Sequence, residues 1–272
     1  EGICHPILLG NPDRLKRMAS RLKLDLTGID LIDMRADQEQ RRRATYAKHL
    51  AEKRARDGYT FQEAYDKMYE RNYFGMMMVE TGDADAFITG LYTKYSNTIK
   101  VAKDVIGIRE ENSTFGTMHI INSPKGILYL ADTLVNSDPN TDDLVDIANL
   151  AARTVSFFNE TPNIAMISYS NFGSDTAPGS LKVKNAVKTL HENNPDICID
   201  GEMQIGYALN KELRDQKYPF SKLAGKEVNT LVFPNLTSAR SAFKLLQMLS
   251  NDVEVIGPIQ MGLSKPIHFT DS

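Results

Sequence analysis

Met166-Ile167-Ser168-Tyr169-Ser170-Asn171-Phe172-Gly173-Ser174 is an apolar run that empties into a serine- and glycine-rich loop ahead of a helix-like segment. Such a loop presents backbone N–H groups, hydroxyls and a helix N-terminus, which are the donors a phosphate needs. By spacing alone, an ordinary polar strand-to-helix connection accounts for it equally well. Asp200-Gly201-Glu202-Met203-Gln204 follows a second apolar run. Two carboxylates about a glycine suit a metal or an acid/base pair, and against that stands the commoner arrangement of a cap plus a solvated side chain. A third candidate is a basic helix carrying Arg41, Arg42, Arg43, Lys48, Lys53, Arg54 and Arg56. Its cations suit nucleotide phosphates, although a solvated face or a subunit contact explains most of them. His5, His49, His119, His191 and His268 show no metal-ligand spacing, so no metal site is expected. No GxGxxG or Walker sequence occurs, which argues against a nicotinamide or ATP site in this chain.

The elements that must position these residues alternate between strand-like and helix-like, the signature of a parallel sheet covered by helices. Ile7–Leu9 reads as a strand, and Asn11-Pro12 opens a helix to about Leu22. A strand over 29–32, a basic helix over 38–56 and a helix over 60–81 follow, the last opened by a Thr60/Glu63 capping box. Ala86–Gly90 is a short strand ending at glycine, followed by the polar loop Tyr92-Thr93-Lys94-Tyr95-Ser96 and a helix; in open α/β sheets such a strand end is where ligands bind. Residues 116–122 and 126–132, joined by Ser123-Pro124-Lys125, read as a hairpin. Beyond it come helices over 141–157, 180–192 and 238–249, and strands over 164–167, 197–199, 230–233 and 254–256. A first subdomain over 1–111 with 257–272, and a second over 112–256, are expected.

The chain has 272 residues, is 42% hydrophobic and has a net charge of −3, so it can bury a sizeable core and lacks the basic excess that nucleic-acid or membrane-surface partners select. No apolar run approaches a membrane span. Cys4 and Cys198 match no metal or redox spacing and are expected to be buried, reduced thiols of a cytoplasmic protein. With Glu1 first and a strand beginning almost at once, the chain reads as part of something longer.

The tail from Gly257 to Ser272 resembles the phosphate acetyltransferase/butyryltransferase family, where a GPI-x-x-GL-x-KPI stretch precedes a short Asn/Asp-rich turn and a Ser-Arg pair. The family also shows SYS-x-x-GS, matching Ser168 to Ser174, and DGE-x-Q, matching Asp200 to Gln204. The resemblance implies two doubly wound α/β/α subdomains, as in isocitrate and isopropylmalate dehydrogenases, the second inserted into the first with a ligand cleft between them. It implies an acetyl-CoA site drawing on Arg54, Tyr95, Lys100, Ser168, Tyr169 and Ser170, together with Gly173, Ser174, Gln260 and Lys265, with Asp200 and Glu202 shaping the cleft floor. In the family the Ser-Arg pair stabilises the transition state and holds phosphate; here Asp271 and Ser272 stand in those positions, and Lys100 stands where a second arginine is found. A planar guanidinium clamps phosphate in a way that a hydroxyl or a point-charge ammonium does not, and Asp271 would repel it.

Residues 6–12, Ser170 to Ser174 and Lys265 to His268 are similar to the branch of the family attached to bacterial NADP-dependent malic enzymes. That likeness implies an inactive domain with acetyl-CoA as effector, an attached malic enzyme module holding the NADP and divalent metal, and a homo-oligomer. The alternative it leaves is an active phosphate acetyl- or butyryltransferase.

Overall fold

Residues 2–90, 93–250 and 252–270 are described in the computed structural model. The chain forms two units, the first up to Gly107 together with Lys265–Ile267, the second over Ile108–Ser264 and again from His268.

In the first unit, β1 (Ile7–Leu9) pairs in parallel with β2 (Asp30–Ile32), and α1 (Pro12–Leu22) lies between them in sequence. Asn11 caps α1 by accepting from the Arg14 amide. The basic helix α2 spans Gln40–Lys53, flanked by short 3-10 turns at Asp37–Glu39 and Ala55–Asp57. Arg43 departs from the solvated-face expectation. It is 3% exposed, its guanidinium donates to the Met34 and Ala36 carbonyls, and it lies 4.6 Å from the centre of the Tyr69 ring.

The single helix expected over 60–81 is two, α3 (Phe61–Lys67) and α4 (Arg71–Thr81), with the Thr60/Glu63 capping box in place on α3. Every residue of α4 from Asn72 to Val79 is buried, so this is a central helix without a solvent face. Burial of Phe74, Met76 and Met77 contributes about 1.5–3 kcal/mol each before entropy is counted. Gly75 is required there, because a Cβ would lie 2.4 Å from the Phe87 ring of β3 (Phe87–Gly90). Helix α5 (Tyr95–Val105) completes the unit.

The second unit is built on one six-stranded sheet in the order β7-β6-β8-β5-β4-β9. Its strands are β4 (Gly116–Ser123), β5 (Gly126–Ala131), β6 (Asn163–Ile167), β7 (Cys198–Met203), β8 (Thr230–Val232) and β9 (Glu254–Met261). β4 and β5 are the expected hairpin, with Ser123 paired to Gly126 across Pro124-Lys125. β4 runs antiparallel to both its neighbours, and the other pairs are parallel, so the sheet is mixed.

Period-two alternation sends Ile164 and Met166 to the face covered by α6 (Thr141–Phe157) and α7 (Pro178–Asn193). Ala165 and Ile167 go to the opposite face, under α8 (Ile205–Leu209) and α10 (Leu236–Leu249). Helix α9 (Lys211–Lys217) and β10 (Ile267–Thr270), like α8, lie in segments whose sequence had suggested no element. The last strand corrects the sequence reading in another way. β9 runs on through Pro258 to Met261 as an edge strand of the second unit, because β4 supplies ladder partners as far as Gly116. Lys265–Ile267 are thus the part of the tail that packs with the first unit, where the Phe87 amide donates to the Pro266 carbonyl at 3.1 Å.

Both cysteines are free thiols, but neither is buried: Cys4 is exposed and Cys198 half-buried, accepting from the Lys226 ammonium at 3.1 Å. Among the described residues, no helix is long and apolar enough to cross a membrane.

Candidate functional site

The serine- and glycine-rich loop leaves the C-terminal end of β6, with the ends of the parallel strands β7 and β8 on that same side. Ser168 and Ser170 do not face solvent. They are 7% and 3% exposed, and their hydroxyls form a chain: Ser168 to Ser170 at 3.1 Å, and Ser170 to Ser180, in the first turn of α7, at 2.6 Å. The chain leads to Glu202, which is fully buried. One carboxylate oxygen of Glu202 accepts the Gly173 amide, with the Ser170 and Ser180 hydroxyls at 3.5 Å, while its carbonyl accepts the Phe172 amide at 2.8 Å. Its second oxygen, Oε2, is buried without a partner. The donors a phosphate would use are therefore partly occupied by a carboxylate of this chain.

Glu202 thus acts as an internal anchor for the loop, and Asp200 does the same for another. Asp200 accepts from the Ser221 hydroxyl at 2.7 Å and the Lys222 amide at 2.8 Å, holding the segment between α9 and β8. Neither carboxylate is a cap or a solvated side chain. Among the described residues, no group of three or more His, Cys, Asp or Glu could hold a metal.

The exposed side of the loop carries Tyr169, Asn171 and Ser174. Tyr169 is 57% exposed; partial desolvation and its hydrogen bond to Asp175 raise the phenol above its ordinary value. Asp175 is held below the usual carboxylate range, first by the Ala177 amide. The turn is closed by the Asn171 amide donating to Ser174 Oγ at 3.0 Å, and pinned to the end of β7 by the Gln204 amide donating to Asn171 Oδ1 at 2.9 Å. Phe172 sits at φ 47°, where a bulky side chain costs about 1–3 kcal/mol, and Gly173 follows at φ 87°. The Phe172 ring packs at 4.7 Å from Tyr218 and 5.0 Å from Phe220. The Lys184 ammonium lies 3.1 Å from where a Cβ on Gly173 would be, and glycine serves here for the left-handed conformation.

The remaining sequence candidates divide between the units. Arg54, Tyr95, Lys100 and Lys265 belong to the first. Arg54 closes the C-terminus of α5, donating to the Asp104 carbonyl at 2.7 Å and to the Lys103 carbonyl, with Asp57 at 3.4 Å. Tyr95 begins α5, Lys100 is an exposed residue of the same helix, and Lys265 is exposed. Gln260 is in the second unit on β9, four strands away from β6 in the sheet order. Its side-chain amide donates to the Phe269 carbonyl at 2.9 Å and accepts the Phe269 amide at 3.1 Å. Tyr92, Asp271 and Ser272 lie outside the described residues.

His268 packs against Gln260, whose backbone amide points at Nδ1 from 3.3 Å, and burial lowers its pKa. A depressed folded-state pKa means that its contribution to stability is complete above the unfolded value of about 6.5 and declines as pH falls below it. Urea unfolding at pH 7.5 and 5.5 should show a loss at the lower pH that His268→Gln reduces; an identical loss in both proteins would contradict this.

Residues beyond sequence reasoning were Glu202 as an internal acceptor, Lys184, and the Phe172, Tyr218 and Phe220 cluster. The large aromatic before Gly173 was the available signal for the last.

A mixed α/β unit with a polar loop at the carboxyl ends of parallel strands is the class of fold that holds anionic ligands at its strand ends. The family can be stated more closely. The profile described as phosphate acetyl/butaryl transferase matches residues 1–272, and the chain belongs to that family. It is 34% identical over 269 residues to the NADP-dependent malic enzyme of Escherichia coli (strain K12), covering 98% of this chain and 35% of that protein. It is 33% identical over 270 residues to the phosphate acetyltransferase of Treponema pallidum (strain Nichols), covering 96% of this chain and 79% of that one. Among solved structures, a phosphotransacetylase from Streptococcus pyogenes superposes with a TM-score of 0.86 at 30% identity, over 98% of this chain and 80% of that one. The chain spans about a third of the length of the malic enzymes it matches.

Proposed function

We propose that this chain is a non-catalytic, acetyl-CoA-sensing domain of a larger NADP-dependent malic enzyme. The reading is carried by residue types: by the tail's resemblance to the family, Asp271 and Ser272 match its Ser-Arg pair, and Lys100 matches a second arginine. Without those guanidinium forks, a small phosphate is not aligned for attack on a thioester, whereas a large acyl-CoA has other atoms by which to bind. In the second unit, the loop from Ser168 to Ser174 is proposed to serve that ligand. Asp271 replaces a neutral side chain by an anion, which weakens phosphate capture further.

Regulation of malate oxidation in an attached module, with the NADP and a divalent metal held there, requires acetyl-CoA to bind two states of the whole protein with different affinity. A homo-oligomer provides subunit contacts through which such a difference can act. The similarity to malic enzymes along 98% of the chain supports this reading. The similarity to the Treponema pallidum phosphate acetyltransferase, extending over 79% of that protein, favours the alternative of an active acyltransferase.

The test pairs two measurements on the purified chain. Acetyl-CoA is expected to titrate to saturation by calorimetry, while incubation with acetyl-CoA and inorganic phosphate yields no acetyl phosphate above the uncatalysed rate. Sustained acetyl phosphate formation overturns the regulatory reading in favour of the transferase, and absence of acetyl-CoA binding overturns both.

A further inference from the structure

We propose that the aromatic cluster beside the serine- and glycine-rich loop is a platform for a planar purine base, with Lys184 as the cation that meets a phosphate of the same nucleotide. The proposal rests on the acyl-CoA reading for the ligand's name, and it adds which end of that ligand is held here and by which residues.

Phe172 is the first observation. A bulky residue is held in the left-handed region, its amide fixed by the Glu202 carbonyl, and its ring is thereby presented to Tyr218 and Phe220. The second is exposure. Tyr218 stacks edge-on to Tyr207 at 5.0 Å, yet Phe220 at the end of the cluster is 70% open to solvent, leaving its ring accessible beside packed aromatic neighbours. An aromatic face of this kind accepts any nucleobase, because every base offers a π-surface of its own.

The third observation is charge. Lys184 is exposed, its ammonium occupies the space over Gly173, and it forms no ion pair among the described residues. The carboxylates near this loop are otherwise engaged: Asp175 accepts the Ala177 amide and the Tyr169 phenol, and Glu202 is buried under Gly173. Because the Gly173 amide is already given to Glu202, a phosphate arriving at the loop depends on Lys184 for its counter-charge. A ring platform at Phe172 and a cation over the adjacent Gly173 match the two chemistries of a nucleotide, an aromatic base and an anion.

The probe is adenosine 3′,5′-bisphosphate, the nucleotide end of coenzyme A, titrated calorimetrically into the full chain. Phe220→Ala is expected to weaken its binding roughly tenfold and Phe220→Tyr to restore it, since stacking needs a ring but no particular one. Lys184→Gln is expected to weaken binding and to flatten its dependence on salt. Phe220 is largely exposed, so these variants test the surface and not the core. Wild-type affinity for the bisphosphate in Phe220→Ala overturns the platform, as does a change in sedimentation of Phe220→Ala with base binding intact, which would make the surface a protein contact. If acetyl-CoA binds the wild type and Phe220→Ala equally, this proposal falls and the acyl-CoA reading stands. If the bisphosphate binds in a Phe220-dependent way and acetyl-CoA does not bind, the platform stands and the acyl-CoA reading falls.

Discussion

Replacing Arg214 by alanine should lower the free energy of unfolding by about 3 kcal/mol or more, among the largest effects of any single substitution in this chain. Arg214 is fully buried in α9. Its two terminal nitrogens donate to four carbonyls: Ala208 at 2.8 Å, Tyr207 at 3.4 Å, Leu223 at 3.0 Å, and Lys226. The charge is offset by these dipoles and by Asp215, whose carboxylate is 3.7 Å from Nε. Removing the guanidinium strands the carbonyls as well as opening a cavity. Arg214→Met fills much of the volume but leaves the same acceptors unpaired, so it should be nearly as damaging, unlike a buried ion pair exchanged for hydrophobes on both sides. The measurement is urea denaturation with the slope checked for constancy, and a loss below about 1 kcal/mol for both variants would refute the account. Because Arg214 ties α8 and the Leu223 to Lys226 segment together, its loss should also disturb Tyr207, Tyr218 and Phe220.

A comparable contrast is expected at Glu202. Glu202→Ala removes the acceptor for the Gly173 amide and for two buried serine hydroxyls, and should destabilise the chain by about 1.5–3 kcal/mol while loosening the loop from Ser168 to Ser174. Glu202→Gln keeps one carbonyl oxygen in the same place and exchanges an orphaned buried oxygen for an amide nitrogen of similar size, so its cost should be below about 1 kcal/mol. Hydrogen exchange of the Gly173 and Ser174 amides separates loop from global effects. Fast exchange in the alanine variant and protection in the glutamine variant are expected; equal protection in both would mean that Glu202 does not hold the loop.

Where local chemistry governed the structure, it could be read from the chain. The Thr60/Glu63 capping box, the Asn11-Pro12 helix start and the hairpin about Pro124-Lys125 are each contained in a few adjacent residues. Helices α3 and α4 read as one from the sequence because no glycine or proline stands at the break between Lys67 and Arg71, while Gly75 lies inside α4. β9 reads from the sequence as ending before Pro258, since proline within a run argues against a strand; Pro258 falls where the β4–β9 register shifts, on an edge strand, a setting in which proline is tolerated. The site was legible as a loop and not as a network. Nothing near Gly173 announces that its amide belongs to Glu202, 29 residues away, because that pairing is made by two parallel strands meeting at their ends.

The main stretch of the second unit, Ile108–Ser264, begins and ends at one spot. Ile108 bridges antiparallel to Leu263, the Arg109 amide donates to the Gly262 carbonyl at 3.0 Å, and the Arg109 side chain reaches the Leu263 carbonyl at 3.2 Å. Chain ends clasped in this way let a module be spliced into a host, or lifted out of it, without stretching either partner. It offers a physical route by which such a unit can be carried from one parent chain to another with its own strand order intact.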